Sequence, residues 1–244
     1  MKIIIDEKDV EVFAGDTILT AAKRAGIYIP TLCHNEAFDG QGRCRLCLVE
    51  VDNQGMKKVV TACTYPVVKE ITVKTSTPQI IKMRKNVIML LYKRASGSKL
   101  MQDMFREYGC EDNQLQENPE EKCILCNLCV LACEKMGSSA ISLIMRGTDK
   151  KVATPYNEAA EECIGCGACA EVCPTDAIEL VEKVGTRTIW NKQFKLVNCQ
   201  RCGTPFATEE QLAFIQAKGK DNEMLSYCEN CRRKMTAEKI QSFN

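Results

Sequence analysis

The sequence has a single histidine, His34, and a single tryptophan, and its charges nearly cancel. One histidine excludes sites that need several imidazole ligands, such as His-rich zinc centres. The 33 lysines and arginines stand against 32 aspartates and glutamates, which gives a net charge of +1. This balance provides no global attraction to nucleic acid or to an anionic membrane surface.

Long apolar runs and a secretory signal are also missing from the sequence. The run Val87–Tyr92, among the longest, is far shorter than the ~20 residues of a membrane span. The first residues include Asp6 and Glu7, where a signal peptide would be apolar. We therefore expect a cytoplasmic protein without a membrane span.

Cysteine, in contrast, is abundant, with 17 residues. In a cytoplasmic protein, dense cysteine is more typical of metal binding than of disulfides. The odd number also argues against complete disulfide pairing. Sixteen of the cysteines fall into spaced groups, and Cys110 stands alone, which favours a buried free thiol.

Two segments repeat the spacing C-x2-C-x2-C-x3-C, which is typical of two-cluster ferredoxins. In those proteins the fourth cysteine of each run binds the cluster of the other run. The sequence therefore predicts two 4Fe–4S sites. The first cubane site comprises Cys123, Cys126, Cys129 and Cys173, and the second cubane site comprises Cys163, Cys166, Cys169 and Cys133.

Four further cysteines near the N-terminus have a looser spacing with one close pair, C-x10-C-x2-C-x15-C. This rhomb site comprises Cys33, Cys44, Cys47 and Cys63. A 2Fe–2S rhomb takes two thiolates per iron, and plant-type ferredoxins use a related spacing with a shorter first gap. The spacing favours a 2Fe–2S cluster, and a zinc ion on the same four cysteines is the alternative.

The last part of the chain contains two C-x2-C pairs. This tail site comprises Cys199, Cys202, Cys228 and Cys231. The 25-residue gap between the pairs suits a tetrahedral zinc site and is slightly longer than usual. A further 4Fe–4S cluster is the alternative.

Local patterns predict the secondary structure around these sites. Short strands and one helix capped by Asp16 are expected before residue 75, with a hairpin turning at Asn53–Gly55. Thr77 and Pro78 are expected to open a long helix, and Thr208 to cap a helix in the tail. Trp190, Phe194 and Phe206 are expected to form the core of the tail.

The segments TLCHNE, GRCRLCLVEV and TACTYPV resemble the N-terminal ferredoxin domain of the large iron–sulfur subunit of complex I, of iron-only hydrogenases and of NAD-linked diaphorase subunits. KCILCNLCVLAC and ECIGCGACAEVCPTDAI resemble the two-cluster domain of the same family. The resemblance implies an α+β architecture. It covers about residues 1–182, with a β-grasp 2Fe–2S domain at 1–75, a helical linker at 76–116 and a bacterial-ferredoxin-like domain at 117–182. The remaining residues, 183–244, are expected to form a four-cysteine, zinc-ribbon-like domain, and KLVNCQRCGTPF there resembles small ribbons appended to some hydrogenase-associated ferredoxins.

The sequence departs from this family in one segment. Relatives carry a His-x3-Cys-x2-Cys-x5-Cys loop after the long helix, and here Lys99 stands about where its last cysteine would be. We expect this chain to lack that cluster. We also expect no hydrogenase or molybdopterin domain, and therefore no catalysis at such a centre.

Taken together, the residues and the resemblance predict an electron-transfer subunit of a cytoplasmic NAD(P)-linked oxidoreductase of hydrogenase, formate dehydrogenase or electron-bifurcating transhydrogenase type. The expected cofactors are one 2Fe–2S cluster, two 4Fe–4S clusters and one zinc ion. The expected partner is a flavin-bearing diaphorase-like subunit, with a hydrogenase, formate dehydrogenase, ferredoxin or second flavoprotein at the other end. The alternatives are an independent soluble multi-cluster carrier and a zinc-bound interaction protein, which the near-zero charge opposes.

Overall fold

The computed structural model describes residues 1–111, 114–219 and 223–241. Two compact units make up the chain. The first unit comprises residues 1–128 and 172–177, and the second unit comprises residues 129–171 and 178–244. The return of residues 172–177 to the first unit brings the end of the second cysteine run into that unit.

The first unit contains a five-stranded mixed sheet with the order β2-β1-β5-β3-β4. Its strands are β1 (Lys2–Ile5), β2 (Lys8–Glu11), β3 (Leu48–Asn53), β4 (Met56–Thr61) and β5 (Thr72–Lys74). Strands β1 and β5 are parallel and the other neighbours are antiparallel. Both predicted hairpins are present, with the second turning at Gln54 and Gly55.

One helix, α1 (Ile18–Arg24), covers this sheet as expected of a β-grasp domain. Ile18 and Leu19 are fully buried against the sheet residues Ile5, Val49 and Val73. Alternation of buried and exposed residues along β1 places one face in this core, because successive side chains of a strand point to opposite faces.

The predicted cap of α1 is wrong by one residue. Thr17 caps the helix by accepting a hydrogen bond from the backbone N–H of Thr20. The Asp16 carboxylate instead accepts from the backbone N–H of Phe13 at 2.8 Å and from Arg24 at 2.6 Å. The hydrogen bond from Arg24 holds the pKa of Asp16 below its usual value. Asp16 therefore links the two ends of α1.

Two helices complete the first unit, α2 (Pro78–Arg94) and α3 (Lys99–Glu107). Thr77 caps α2 through its side chain and Pro78 occupies the first turn, as predicted. Ile88 of α2 and Met101 of α3 are fully buried in a second apolar cluster. This cluster also contains cysteines of the predicted sites and therefore joins the helices to them.

The second unit combines short helices with an antiparallel sheet of order β11-β10-β9-β8. The strands are β6 (Ser142–Ile144), β7 (Lys151–Ala153), β8 (Leu180–Lys183), β9 (Thr186–Ile189), β10 (Lys192–Asn198) and β11 (Pro205–Thr208). The helices are α4 (Leu128–Met136), whose first residue belongs to the first unit, α5 (Ala168–Glu171), α6 (Glu209–Ala217) and α7 (Glu229–Gln241). Thr208 caps α6 by accepting from the backbone N–H of Gln211, as predicted.

Candidate metal centres

The four cysteines of the rhomb site converge in the first unit, and all four are buried. They lie in the loop between α1 and β3, at the start of β3 and just after β4. The backbone N–H of Cys44 donates to Cys33 Sγ at 3.3 Å. The thiols also shift each other's pKa in two pairs, Cys33 with Cys44 and Cys47 with Cys63. Because a 2Fe–2S rhomb needs two thiolates for each of two irons, this ligand set fits that group.

In each pair of the rhomb site, the interaction lowers the pKa of one thiol and raises that of the other. The hydrogen bond from Cys33 lowers the pKa of Cys44 to about 6, and the same bond raises the pKa of Cys33. The bond with Cys47 likewise lowers the pKa of Cys63 to about 7. The backbone N–H of Leu32 also donates to Cys44 Sγ at 3.4 Å.

Two glycines shape the loop that precedes Cys44. A Cβ atom at Gly40 would lie 1.9 Å from the carbonyl oxygen of Cys63. Gly42 has a φ of +59°, and a Cβ atom there would lie 3.3 Å from Cγ2 of Thr64. The loop can close over the second half of the site only because both positions lack a side chain.

Three of the four predicted ligands of the first cubane site lie in the first unit: Cys123, Cys126 and Cys173. Their sulfurs are close enough that the charges of Cys173 and Cys123 raise the pKa of Cys126, after burial as the main cause, to about 11. Backbone N–H groups of Leu125 and Ala177 donate to Cys123 Sγ and Cys173 Sγ at 3.4 and 3.3 Å.

The fourth predicted ligand of the first cubane site, Cys129, is the first residue of the second unit. It follows a turn in which Leu125 and Asn127 have positive φ values of 56° and 74°. These left-handed residues fold the C-x2-C-x2-C segment into a tight loop, as the glycines of the second run do.

The rhomb site and the first cubane site share one apolar cluster. Cys33, Cys44 and Cys126 belong to it together with Leu46 and Ile124. The charge of Cys44 contributes to the raised pKa of Cys126. These two ligands of different sites therefore lie in one buried cluster of the first unit.

The second cubane site lies wholly in the second unit. Cys133 of α4 lines one cavity together with Cys163, Cys166 and Cys169. Cys133 therefore faces the second run, and Cys173 lies with the first run. The exchange of fourth ligands between the two clusters stays a prediction from the sequence.

Hydrogen-bond donors surround the sulfurs of the second cubane site. Cys133 Sγ accepts from the backbone N–H of Ala140 at 3.2 Å and lies 3.3 Å from the Ser138 hydroxyl. The indole Nε1 of Trp190 donates to Cys169 Sγ at 3.5 Å. Burial raises the pKa of Cys169 to about 11, and this indole bond opposes the rise. Donors directed at sulfur fit an anionic cluster bound by thiolates.

The tail site brings its four predicted ligands together. The sulfurs of Cys199, Cys202, Cys228 and Cys231 all lie within 4.8 Å of one another. The distance between Cys202 Sγ and Cys228 Sγ is 3.7 Å. Burial alone would raise the pKa of Cys199, but backbone N–H groups of Cys228, Cys202 and Arg201 lower it to about 6. This four-cysteine group can hold a metal ion.

Two other singled-out residues lie outside these sites. Cys110 is buried, and its thiol donates to the carbonyl of Lys85 at 3.4 Å. Burial raises the pKa of Cys110, which suits an unreactive thiol. His34 is half-buried in its loop, with Nδ1 3.4 Å from Nζ of Lys23.

The sequence did not indicate that residues of the C-terminal sheet border the second cubane site. Phe194 is 1% exposed and packs in the same apolar cluster as Cys163 and Cys169. Trp190 also packs against this cluster, whereas Phe206 is only half-buried. The one available signal was the presence of the single tryptophan of the chain directly after a predicted iron–sulfur domain.

Models of known protein families match the segments that contain the rhomb site and the two cubane sites. A 2Fe–2S iron–sulfur cluster binding domain matches residues 1–78. A 4Fe–4S dicluster domain matches residues 118–180, and a second 4Fe–4S dicluster model matches residues 162–207. The order of these matches is the order predicted from the cysteine spacing.

Several oxidoreductase subunits are similar in sequence. The G 2 subunit of NADH-quinone oxidoreductase from Rhizobium meliloti (strain 1021) is 29% identical over 84% of this chain. NADP-reducing hydrogenase subunit HndD of Solidesulfovibrio fructosivorans is 30% identical over 73% of it. NADPH-Fe(3+) oxidoreductase subunit alpha of Geobacter sulfurreducens (strain DL-1 / KN400) is 31% identical over 73%. The chain spans only 27%, 36% and 24% of their respective lengths.

A solved structure has a similar fold. The match is to a chain of an NAD+-reducing [NiFe]-hydrogenase in the H2-reduced state, with a TM-score of 0.62 and 23% identity. It covers 72% of this chain and 85% of that chain. At this identity the match establishes the fold alone.

Within residues 1–111, 114–219 and 223–241, no helix has the length and apolar character needed to cross a bilayer.

Proposed function

This chain belongs to the family of iron–sulfur subunits that includes the large iron–sulfur subunit of complex I, the iron-only hydrogenases and the NAD-reducing hydrogenases, and on that premise we propose that it relays single electrons inside a cytoplasmic NAD(P)-linked oxidoreductase complex. The cofactors would be a 2Fe–2S cluster at the rhomb site and a 4Fe–4S cluster at each cubane site. Iron–sulfur clusters of these types carry one electron at a time over a wide range of potentials.

One observation carries the proposal: ligands of two different sites share a buried apolar cluster. Cys44 of the rhomb site and Cys126 of the first cubane site are both buried in this cluster of the first unit. An electron at one site would therefore have a short, dry route to the other. The exchange of Cys133 and Cys173 between the two cysteine runs would extend this route to the second cubane site.

The relay needs a partner that converts hydride pairs into single electrons. Flavins carry out that conversion in NAD(P)-linked enzymes. We assign this role to a flavin-bearing diaphorase-like subunit, in keeping with relatives that are named as NADH, NADP or NADPH oxidoreductase subunits. The second end would deliver to a hydrogenase, formate dehydrogenase, ferredoxin or second flavoprotein.

The proposed domain limits follow the cysteine groups. The rhomb site belongs to a ferredoxin domain at 1–75, and a helical linker at 76–116 leads to the two cubane sites at 117–182. A four-cysteine domain at 183–244 carries the tail site. The family-model matches at 1–78 and 118–180 support the first and third of these domains.

For the tail site we propose zinc rather than a further 4Fe–4S cluster. Four sulfurs placed about 2.3 Å from one zinc ion in a tetrahedron lie about 3.8 Å apart. The 3.7 Å between Cys202 and Cys228, and the 4.8 Å limit on all sulfur pairs, favour one ion. A cubane would spread its four thiolates further, because each binds a different iron at a separate corner of the cage.

Iron, sulfide and zinc analysis with EPR of the dithionite-reduced full chain tests these assignments. We expect about ten iron atoms and one zinc ion per chain, with one 2Fe–2S and two 4Fe–4S signals. About 14 iron atoms without zinc would mean that the tail site binds a further 4Fe–4S cluster instead of zinc. A colourless protein rich in zinc, prepared anaerobically with cluster assembly active, would overturn the relay altogether.

The need for a flavoprotein partner has its own test. The purified full chain should be reduced by dithionite but not by NADH or NADPH alone, as followed by bleaching of the iron–sulfur absorbance. Reduction by a nicotinamide nucleotide without any added protein would overturn the assignment of hydride chemistry to a partner.

A further inference from the structure

Three side chains from the C-terminal sheet reach the loop that carries the second cubane site. Lys192, at the start of β10, donates from Nζ to the carbonyl oxygens of Ala160, Glu161 and Cys163 at 3.1, 3.0 and 2.9 Å. One ammonium group thus binds three backbone carbonyls of the segment that leads into this site. Its charge also lowers the pKa of Cys163 against the larger, opposite effect of burial.

Arg187 of β9 forms the second contact. Its Nη1 donates to the carbonyl oxygen of Gly165 at 2.8 Å. The Nε and Nη2 atoms of the same guanidinium bind Oε1 of Glu182, and the Arg187 side chain is 12% exposed. The Arg187 charge counteracts, in part, the burial that raises the pKa of Cys166.

Trp190 forms the third contact from the turn between β9 and β10. Trp190 and Asn191 both have positive φ values, 52° and 58°, as a two-residue hairpin turn of mirror-image type requires. This turn places the indole in the wall of the cavity and its N–H donor 3.5 Å from Cys169 Sγ.

The sheet and the loop fit closely. A Cβ atom at Gly165 would lie 2.6 Å from the Phe194 ring, so that ring occupies the space of the missing side chain. The Thr208 hydroxyl donates to the carbonyl of Ile164 at 2.5 Å. The three contacts therefore belong to a tightly packed interface inside the second unit rather than to mobile surface side chains.

We infer that Arg187, Trp190 and Lys192 act as positioning residues that raise the reduction potential of the second cubane site above that of the first. Reduction adds a negative charge, and nearby cations and hydrogen bonds to sulfur stabilise the reduced form. The inference rests on the proposed function, because it needs a cluster at that site. Its consequence is that electrons collect at the second cubane site.

Charged groups of both signs contact Cys123 of the first cubane site. Arg94 Nε donates to the carbonyl of Cys123 at 3.1 Å, but the Glu121 carboxylate accepts from the Cys123 N–H at 2.7 Å. These opposite charges largely offset each other near Cys123, as those of Arg187 and Glu182 do in the second unit. The difference between the two sites therefore rests on the Lys192 ammonium and the indole N–H of Trp190.

Potentiometric titration of the full chain followed by EPR tests the inference. Trp190→Phe keeps an aromatic ring and removes the N–H, and Lys192→Gln removes the charge while leaving a donor. Lys195→Gln on the same strand is the matched control, because Lys195 is 73% exposed and pairs with Glu209. Lys192→Arg is the conservative variant, because it keeps the positive charge.

In both test variants we expect the equilibrium constant for reducing one four-iron centre to fall at least threefold. The reduction potentials of the other centres should not change. A tenfold change would correspond to about 59 mV for a one-electron couple. Lys192→Arg should shift the potential far less than Lys192→Gln does, and Lys195→Gln should not shift it.

Trp190→Phe decides the matter if Lys192→Gln fails to assemble. An intact cluster with an unshifted potential in Trp190→Phe would overturn the inference while leaving the relay in place. Absence of a second four-iron transition from the unsubstituted chain would instead overturn the proposed function.

Discussion

At the scale of single residues, Gly40 gives a sharp test of the rhomb site. We expect Gly40→Ala to reduce the 2Fe–2S EPR signal of the full chain at least tenfold. The added methyl group would lie 1.9 Å from the Cys63 carbonyl, so the loop must move and carry Cys44 away from the other ligands. The φ of Gly40 is not positive, so the predicted effect is steric rather than conformational.

The matched control for Gly40 is Gly55→Asn in the turn between β3 and β4. Gly55 has a φ of +90° and nothing within 4 Å of a Cβ atom, and asparagine tolerates left-handed backbone. This variant should keep the full 2Fe–2S signal. An equal signal in Gly40→Ala would show that the loop is not closed over Cys63 as described.

Single residues also show where sequence patterns reach their limit. The 16 grouped cysteines could be assigned to sites because ligand spacing is a local property of the chain. The cap of α1 could not, because Asp16 and Thr17 are both good capping residues. The contact of Asp16 with Arg24, at the far end of the helix, selects Thr17 and has no signature in a local pattern.

At the scale of elements, Arg84 ties α2 to the rhomb site. It is 4% exposed and donates to the carbonyls of Leu46 and Leu48 at 2.9 and 2.6 Å, on either side of Cys47. Arg84→Met would leave two buried carbonyls unpaired, at about 1–3 kcal/mol each. We expect the 2Fe–2S cluster to be lost to an iron chelator at least tenfold faster, because about 1.4 kcal/mol changes a rate tenfold.

Lys82→Met provides the control for Arg84, since Lys82 is exposed on the same helix. The measurement is the decay of the 2Fe–2S EPR signal of the full chain in chelator. Equal decay rates for the two variants would mean that the bonds from Arg84 do not hold the Cys47 segment in place.

For the C-terminal sheet, the sequence predicts the wrong packing partners. The sequence predicts Trp190 and Phe194 in a core of the tail, and they pack against the second cubane site instead. Cysteine spacing could not reveal this, because the contacts of Trp190 and Lys192 cross 21 to 32 residues. In contrast, the hairpins and the start of α2 were predictable, since turn residues and caps act locally.

At the scale of the whole molecule, the four sites differ in how their ligands are distributed. The rhomb site lies in the first unit, and the second cubane site and the tail site lie in the second. Three predicted ligands of the first cubane site, Cys123, Cys126 and Cys173, lie in the first unit. We therefore expect the rhomb and tail sites to load independently of the others.

Two substitutions test this independence in the full chain. Cys44→Ser should remove the 2Fe–2S signal and about two iron atoms and leave both 4Fe–4S signals. Cys202→Ser should remove the zinc ion and no iron, because the four tail sulfurs lie within 4.8 Å of one another and none of them is a predicted iron ligand. Metal analysis and EPR of both variants, beside Cys110→Ala as a cysteine control outside the sites, measure the losses. Disappearance of the 4Fe–4S signals in Cys44→Ser, with the fold intact by circular dichroism, would contradict the proposed domain limits. Loss of iron in Cys202→Ser would contradict zinc at the tail site.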